Sequence, residues 1–140
     1  MAAELAALRP EELAGYLRRN AYALIGGERP FADFMRRKLR EKKLLQQDVF
    51  LAADLPERYG YKLIAEQKHT ARRDTILRLC LAARFGLSET DEALILYGMA
   101  PLYARFPRDA AFILAFHRRI YDIHAVDALL RENKLPPFLT

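Results

Sequence analysis

Residues 44 to 77, LLQQDVFLAADLPERYGYKLIAEQKHTARRDTIL, decide the fold that we predict, because they hold two short helical patterns separated by a break. The first pattern has apolar residues at Val49, Phe50 and Ala53, and this spacing places all three on one side of a helix. We therefore predict a first helix over residues 46 to 53.

A proline separates the two patterns. Pro56 has no amide hydrogen and disfavours helical geometry in the residue before it, so Asp54-Leu55 is the predicted turn. Pro56 is then expected in the first turn of a second helix that extends over residues 57 to 66. The residues expected to face inward are Tyr61, Ile64 and Ala65, and those expected to face outward are Arg58, Tyr59, Lys62 and Glu66. The pattern is typical of a helix-turn-helix.

Six blocks of sequence follow one another through this motif and beyond it. They are Tyr59-Gly60-Tyr61-Lys62, Lys68-His69-Thr70, Arg73 to Leu79, Leu87 to Thr90, Tyr97 to Tyr103, and Arg108 to Ala110. In this order they resemble the XRE-like (Cro/repressor-type) helix-turn-helix transcriptional regulators, in particular a bacterial subgroup with a C-terminal helical extension. Members of that family usually have a glycine at the end of the second helix, where this sequence has Glu66-Gln67.

The resemblance implies an all-α fold, a lambda-repressor-like helix-turn-helix bundle with an N-terminal helix and a C-terminal helical extension. We predict one domain of about seven or eight helices over residues 1 to 140. Its parts are an N-terminal helix and hinge at 1 to 29, the helix-turn-helix body at 30 to 99 and the extension at 100 to 140.

Local signals predict where individual helices begin and end. The N-terminal helix is expected to begin at Arg9-Pro10 and to end at Gly26-Gly27, with an apolar stripe formed by Leu13, Tyr16, Leu17, Ala21 and Leu24. Later signals are a cap at Thr70, a capping box at Ser88, a helix end at Gly98, a helix start at Pro107 and a cap at Asp122. No internal repeat is evident by eye, so we expect none.

The resemblance also implies a sequence-specific transcriptional regulator that binds double-stranded DNA. On the second helix, the candidates for contacts with base edges are Arg58, Tyr59 and Lys62. The candidates for phosphate contacts are Arg36, Arg40, Gln47, Lys68, His69, Arg72 and Arg73. A net charge of +5 and a pI near 9.5 are compatible with an anionic partner.

Two alternatives stay open on the sequence. The basic run Arg36 to Lys43 is equally compatible with a solvated helix face and with phosphate contacts. The whole motif is also compatible with a helix-turn-helix-derived protein-interaction module, an adaptor or regulatory subunit without DNA-binding activity. Glu57 and Glu66 on the second helix favour this alternative.

We expect a homodimer, because the segment Ala110 to Tyr121 is apolar on almost every side and helix-turn-helix proteins commonly use two copies to bind two half-sites. We expect no enzyme, no cofactor and no metal, since no histidine has a partner at ligand spacing and no nucleophile motif occurs. Cys80 lies in an apolar run and is expected in the core. No stretch approaches the roughly 20 apolar residues that span a bilayer, so the predicted location is the cytoplasm, without membrane contact.

Overall fold

The computed structural model describes residues 2 to 20 and 29 to 139, and every regular element in these ranges is helical. The α-helices are α1 (Ala2–Ala7), α2 (Leu13–Arg19), α3 (Pro30–Glu41), α4 (Gln46–Ala52), α5 (Glu57–Ile64), α6 (Arg73–Ala82), α7 (Leu87–Leu96), α8 (Pro107–His117) and α9 (Ile123–Glu132), with a short 3-10 helix at Pro10–Glu12. The predicted all-α class is confirmed. None of these helices is long and apolar enough to cross a membrane.

A single apolar core extends from α3 to α9. On α3 the buried residues Phe31, Phe34, Met35 and Leu39 lie on one face, because positions three and four apart are neighbours on a helix. The helix α6 buries seven of its ten residues and contacts α4, α7 and α9. Cys80 lies inside α6 with no exposed surface, as predicted, and burial raises the pKa of its thiol.

The N-terminal segment differs from the prediction. An additional helix, α1, precedes the Arg9-Pro10 signal, and α2 buries Tyr16 but leaves Leu13 and Leu17 nearly half exposed. The predicted apolar stripe is therefore only partly packed in the part of the chain that is described. Ala21, Leu24 and the predicted hinge at Gly26-Gly27 lie outside the described residues.

Three of the later helix signals are confirmed and two are wrong. Gly98 follows the end of α7 with a φ of 85°, Pro107 opens α8, and the Asp122 carboxylate accepts the His124 N–H at 2.9 Å. Thr70 does not cap α6, because its hydroxyl oxygen accepts the N–H of Arg72, the residue before the helix. The capping residue of α7 is Gly86 and not Ser88, since Glu89 accepts the Gly86 N–H at 2.9 Å.

The pairs α6–α7 and α8–α9 form an internal repeat that the sequence analysis missed. Each pair begins with an Arg-Asp dipeptide, and its arginine donates to two carbonyl oxygens that follow the second helix of the same pair. The bonds run from Arg73 to Ala100 (3.2 Å) and Pro101 (2.8 Å), and from Arg108 to Pro136 (2.9 Å) and Pro137 (3.4 Å).

Other contacts repeat as well. The second helix of each pair carries an aspartate that accepts a backbone N–H beyond the helix, Asp91 from Leu102 and Asp127 from Phe138, both at 2.9 Å. Left-handed residues follow equivalent helices at Arg84 and Arg119, and at Gly98 and Lys134.

The two pairs are joined by reciprocal ion pairs at the first turns of α6 and α8. Arg73 donates to both carboxylate oxygens of Asp109, at 2.8 and 3.0 Å, and Arg108 donates to both oxygens of Asp74, at 2.7 and 2.8 Å. Contacts in which each partner supplies the same residue pair are those of an approximate two-fold arrangement. The C-terminal pair therefore packs onto the body through matched Arg-Asp contacts.

Candidate nucleic-acid interface

The two helices predicted within residues 46 to 66 are α4 and α5. After α4, Ala53 still has helical geometry, and Asp54 adopts the left-handed conformation with a φ of 54°. Pro56 has a ψ of 133°, so it caps α5 from outside and does not lie in the first turn of the helix as predicted. The turn at Asp54-Leu55 is confirmed, and α5 ends at Ile64, two residues earlier than predicted.

The packing of α5 against α4 depends on a close approach between Gly60 and Phe50. A Cβ atom at Gly60 would lie 2.4 Å from Cδ1 of Phe50, so only glycine fits here while the phenylalanine keeps its position. The Phe50 ring also contacts the ring of Tyr61 edge-on, with ring centroids 4.9 Å apart. Phe50 therefore fixes which side of α5 faces the core.

The buried side of α5 differs in part from the prediction. Ile64 is fully buried, as predicted, but its buried neighbours are Gly60 and Leu63. Tyr61 was expected inward and is 43% exposed, because the small Gly60 lets the Phe50 ring fill the interior instead. Ala65 is only partly buried.

The outward face of α5 offers three candidate side chains of unequal accessibility. Arg58 is exposed, as predicted for a base-reading residue, whereas Tyr59 and Lys62 are partly buried. Arg58 is therefore the most accessible of the three candidates.

Glu66 lies two residues beyond the end of α5. Its φ of 59° is in the left-handed region that favours glycine. This conformation costs about 1 kcal/mol for any other residue. Its carboxylate accepts the N–H of Ala32, in the first turn of α3, at 3.3 Å. An acidic group at a helix N-terminus is favourable, so Glu66 links the end of α5 to the start of α3.

Five of the six basic residues in the run Arg36 to Lys43 fall into two groups, and the sixth, Arg37, lies over the ring of Phe34. Lys38 and Lys42 lie 3.3 and 3.1 Å from the carboxylate of Glu89 on α7, and they hold α3 against α7. Burial opposes ionisation of Glu89, but the Gly86 N–H and these two lysines outweigh it, and the pKa of Glu89 is lowered. These two lysines are therefore structural.

Arg36, Arg40 and Lys43 form the second group, and all three are exposed. None of them lies within 4.0 Å of an acidic side chain in the ranges 2 to 20 and 29 to 139. They border an open groove of about 510 Å³ between the end of α3 and the start of α4, which we call the α3–α4 groove. Its lining residues are Arg36, Leu39, Arg40, Lys43, Leu44, Leu45 and Gln46.

The segment between α5 and α6 presents a second set of candidates. Lys68, His69 and Arg72 are exposed, and the His69 ring stacks on that of Tyr97 with centroids 4.5 Å apart. Arg73 is different, because its guanidinium is held by Asp109 and by two backbone carbonyls. Its position fits a structural role better than a phosphate contact.

The exposed surface of α4 and α5 is mixed in character. Residues 46 to 66 contain the acids Asp48, Asp54, Glu57 and Glu66, and only two basic residues, Arg58 and Lys62. Leu51 of α4 is 80% exposed, and the Gln47 side chain also faces solvent. The positive charge therefore flanks the two helices and is not concentrated on them.

The α8 helix uses most of its apolar residues within the chain. Phe112 and Phe116 are buried, whereas Leu114 is 47% exposed beside a shallow groove between α8 and α9. The described residues contain no cluster of potential metal ligands. Comparisons of the chain with protein-family models, curated proteins and solved structures gave no match.

Proposed function

We propose that this chain is a helix-turn-helix protein that binds double-stranded DNA in a sequence-specific manner and acts as a transcriptional regulator. The observation that carries the proposal is the α4–turn–α5 unit, which presents Arg58 to solvent and is flanked in sequence by exposed cations on both sides. In proteins with this motif, the second helix lies in the major groove and the first crosses the backbone.

The proposed roles follow the chemistry of the side chains and the protein contacts that they already make. Arg58 and Lys62 would contact base edges, with Tyr59 beside them, because arginine and lysine donate to guanine acceptors in the major groove. The proposed phosphate ligands are Arg36, Arg40, Gln47, Lys68, His69 and Arg72. We leave Arg73 out of this set because its donors already have protein partners.

A second candidate function is that of a protein-interaction module derived from a helix-turn-helix. The exposure of Leu51 favours it, since a leucine that is 80% exposed on the first motif helix has no apolar partner in a phosphate backbone. The four acidic residues between positions 46 and 66 favour it too, because they would repel DNA.

Alanine substitutions should separate base contacts from phosphate contacts. We expect Arg58→Ala or Lys62→Ala to weaken binding to the preferred duplex by about 1–3 kcal/mol and to relax its sequence preference. Arg72→Ala should weaken binding to all duplexes alike and make the slope of log affinity against log salt shallower by about one unit. Titrations against selected and random duplexes at several salt concentrations measure both effects.

The matched control is Arg118→Ala, which removes an exposed arginine at the end of α8, outside the motif. It should change neither preference nor slope. If the wild-type protein shows no preference among genome-selected duplexes, the regulator proposal is withdrawn and the interaction module takes its place.

The homodimer remains a prediction, but fewer apolar residues of α8 are available for it than the sequence suggested. Since Phe112 and Phe116 are used inside the chain, the surface left for a second copy on α8 is the groove beside Leu114. We expect Leu114→Asp to convert a dimer to a monomer in sedimentation measurements at tens of micromolar. A wild-type protein that is already monomeric under these conditions would contradict the prediction.

A further inference from the structure

The α3–α4 groove combines two kinds of side chain that need different partners. Arg36 and Arg40 are four residues apart and lie on one side of α3, and Lys43, in the turn after the helix, lines the same groove. Beside them Leu44 is partly buried, and Leu45 is 67% exposed in the groove. The groove thus has a cationic border and an apolar lining.

DNA satisfies only the first of these features. A phosphate backbone can neutralise the three cations, but it offers no apolar surface to Leu45, whose side chain would stay in water. An amphipathic protein segment with acidic residues beside leucines satisfies both, because its carboxylates match the cations and its apolar face covers the leucines. Charge complementarity and apolar burial therefore favour a peptide in this groove.

We propose that the α3–α4 groove binds an acidic, leucine-bearing helical segment of a partner protein. Arg36 and Arg40 lie about 6 Å apart along α3, given a rise of about 1.5 Å per helical residue, which corresponds to about one turn of a bound helix, and Lys43 follows in the turn after α3. This inference goes beyond DNA binding and does not require it. If the chain binds DNA as well, the two ligands compete, because Arg36 and Arg40 belong to both sites.

The test uses a fluorescently labelled amphipathic peptide with leucines on one face and glutamates on the other. Its control is a peptide of equal charge in which every leucine is replaced by serine. Fluorescence anisotropy titrations of the full chain near physiological salt measure both affinities. We expect the leucine peptide to bind at least tenfold more tightly than the serine peptide.

Variants of the protein then locate the binding site. Leu45→Ser should weaken binding of the leucine peptide about fivefold to tenfold, through lost burial of an exposed side chain that the fold does not need. Leu51→Ser is the matched control, since Leu51 is still more exposed but lies outside the groove, and it should change nothing. Arg40→Ala should weaken binding of both peptides.

Two results would overturn the proposal. One is equal affinity for the leucine and serine peptides, which would mean that the groove attracts any polyanion. The other is unchanged leucine-peptide affinity in Leu45→Ser, or an equal loss in Leu51→Ser, which would place the peptide elsewhere. The outcome is independent of DNA binding, because Leu45→Ser keeps all the proposed DNA ligands, and duplex titrations with this variant report on DNA separately.

Discussion

Replacing Ile64 by aspartate should unfold the helical body that contains α4 and α5. Ile64 has no exposed surface and belongs to the core that also contains Phe50 and Ile76. An unpaired carboxylate in such an apolar interior costs several kcal/mol, which is comparable with the whole stability of a small domain, about 5–15 kcal/mol. Far-UV circular dichroism during heating should show lost helicity or a much lower midpoint.

The matched control is Leu51→Asp on α4, where the replaced side chain is 80% exposed. This variant should keep the midpoint within a few degrees of the wild-type value, since surface substitutions usually change stability by less than about 0.5 kcal/mol. An Ile64→Asp protein with an unchanged midpoint would show that Ile64 does not lie in the core.

Removing the carboxylate of Asp109 should produce the second largest effect, a loss of about 3–5 kcal/mol in the free energy of unfolding. Asp109 is 5% exposed, and it accepts two hydrogen bonds from Arg73 and one from the Tyr103 N–H at 2.9 Å. Asp109→Ala would leave a partly buried guanidinium without its counter-charge. Urea denaturation measures the loss as a lower midpoint, provided that the dependence of the unfolding free energy on urea concentration is unchanged.

The internal repeat supplies the control for this substitution. Asp74 is the equivalent aspartate, but its side chain is 34% exposed, and within residues 2 to 20 and 29 to 139 it accepts side-chain hydrogen bonds from Arg108 alone. Water can replace part of what Asp74→Ala removes, so this variant should lose less than half as much stability as Asp109→Ala. Equal losses would contradict the argument that burial sets the difference.

The turn between α4 and α5 could be predicted from the sequence because it depends on residues close to it in the chain. The features that were not predicted depend on contacts between residues that are distant in the sequence. Pro56 and the apolar positions of α4 predict the turn correctly because they act within a few residues. The prediction of which side of α5 faces the core was partly wrong. That side depends on Phe50 filling the space that Gly60 leaves, and this fit cannot be predicted without knowing how α4 and α5 cross. Tyr61 was placed inside for that reason.

The candidate site shows the same limit. The basic residues of the run Arg36 to Lys43 cannot be told apart in the sequence. In the structure, two of them, Lys38 and Lys42, form ion pairs with Glu89, which lies on a helix far along the chain. Arg73 was a phosphate candidate because its acidic partner is 36 residues away. The repeat escaped notice because one extra residue shifts its second half: Phe85 alone separates Arg84 from Gly86, whereas Ile120 and Tyr121 separate Arg119 from Asp122.

The reciprocal Arg-Asp contacts matter for any attempt to produce residues 30 to 99 without the α8–α9 pair. A truncated chain that stops near residue 99 would lose the carbonyls and the carboxylate that hold Arg73, and would leave Asp74 without Arg108. It would also uncover the sides of α6 and α7 that contact α9 and α8. Such a fragment is a poor choice for expression, and binding studies are best done with the full chain.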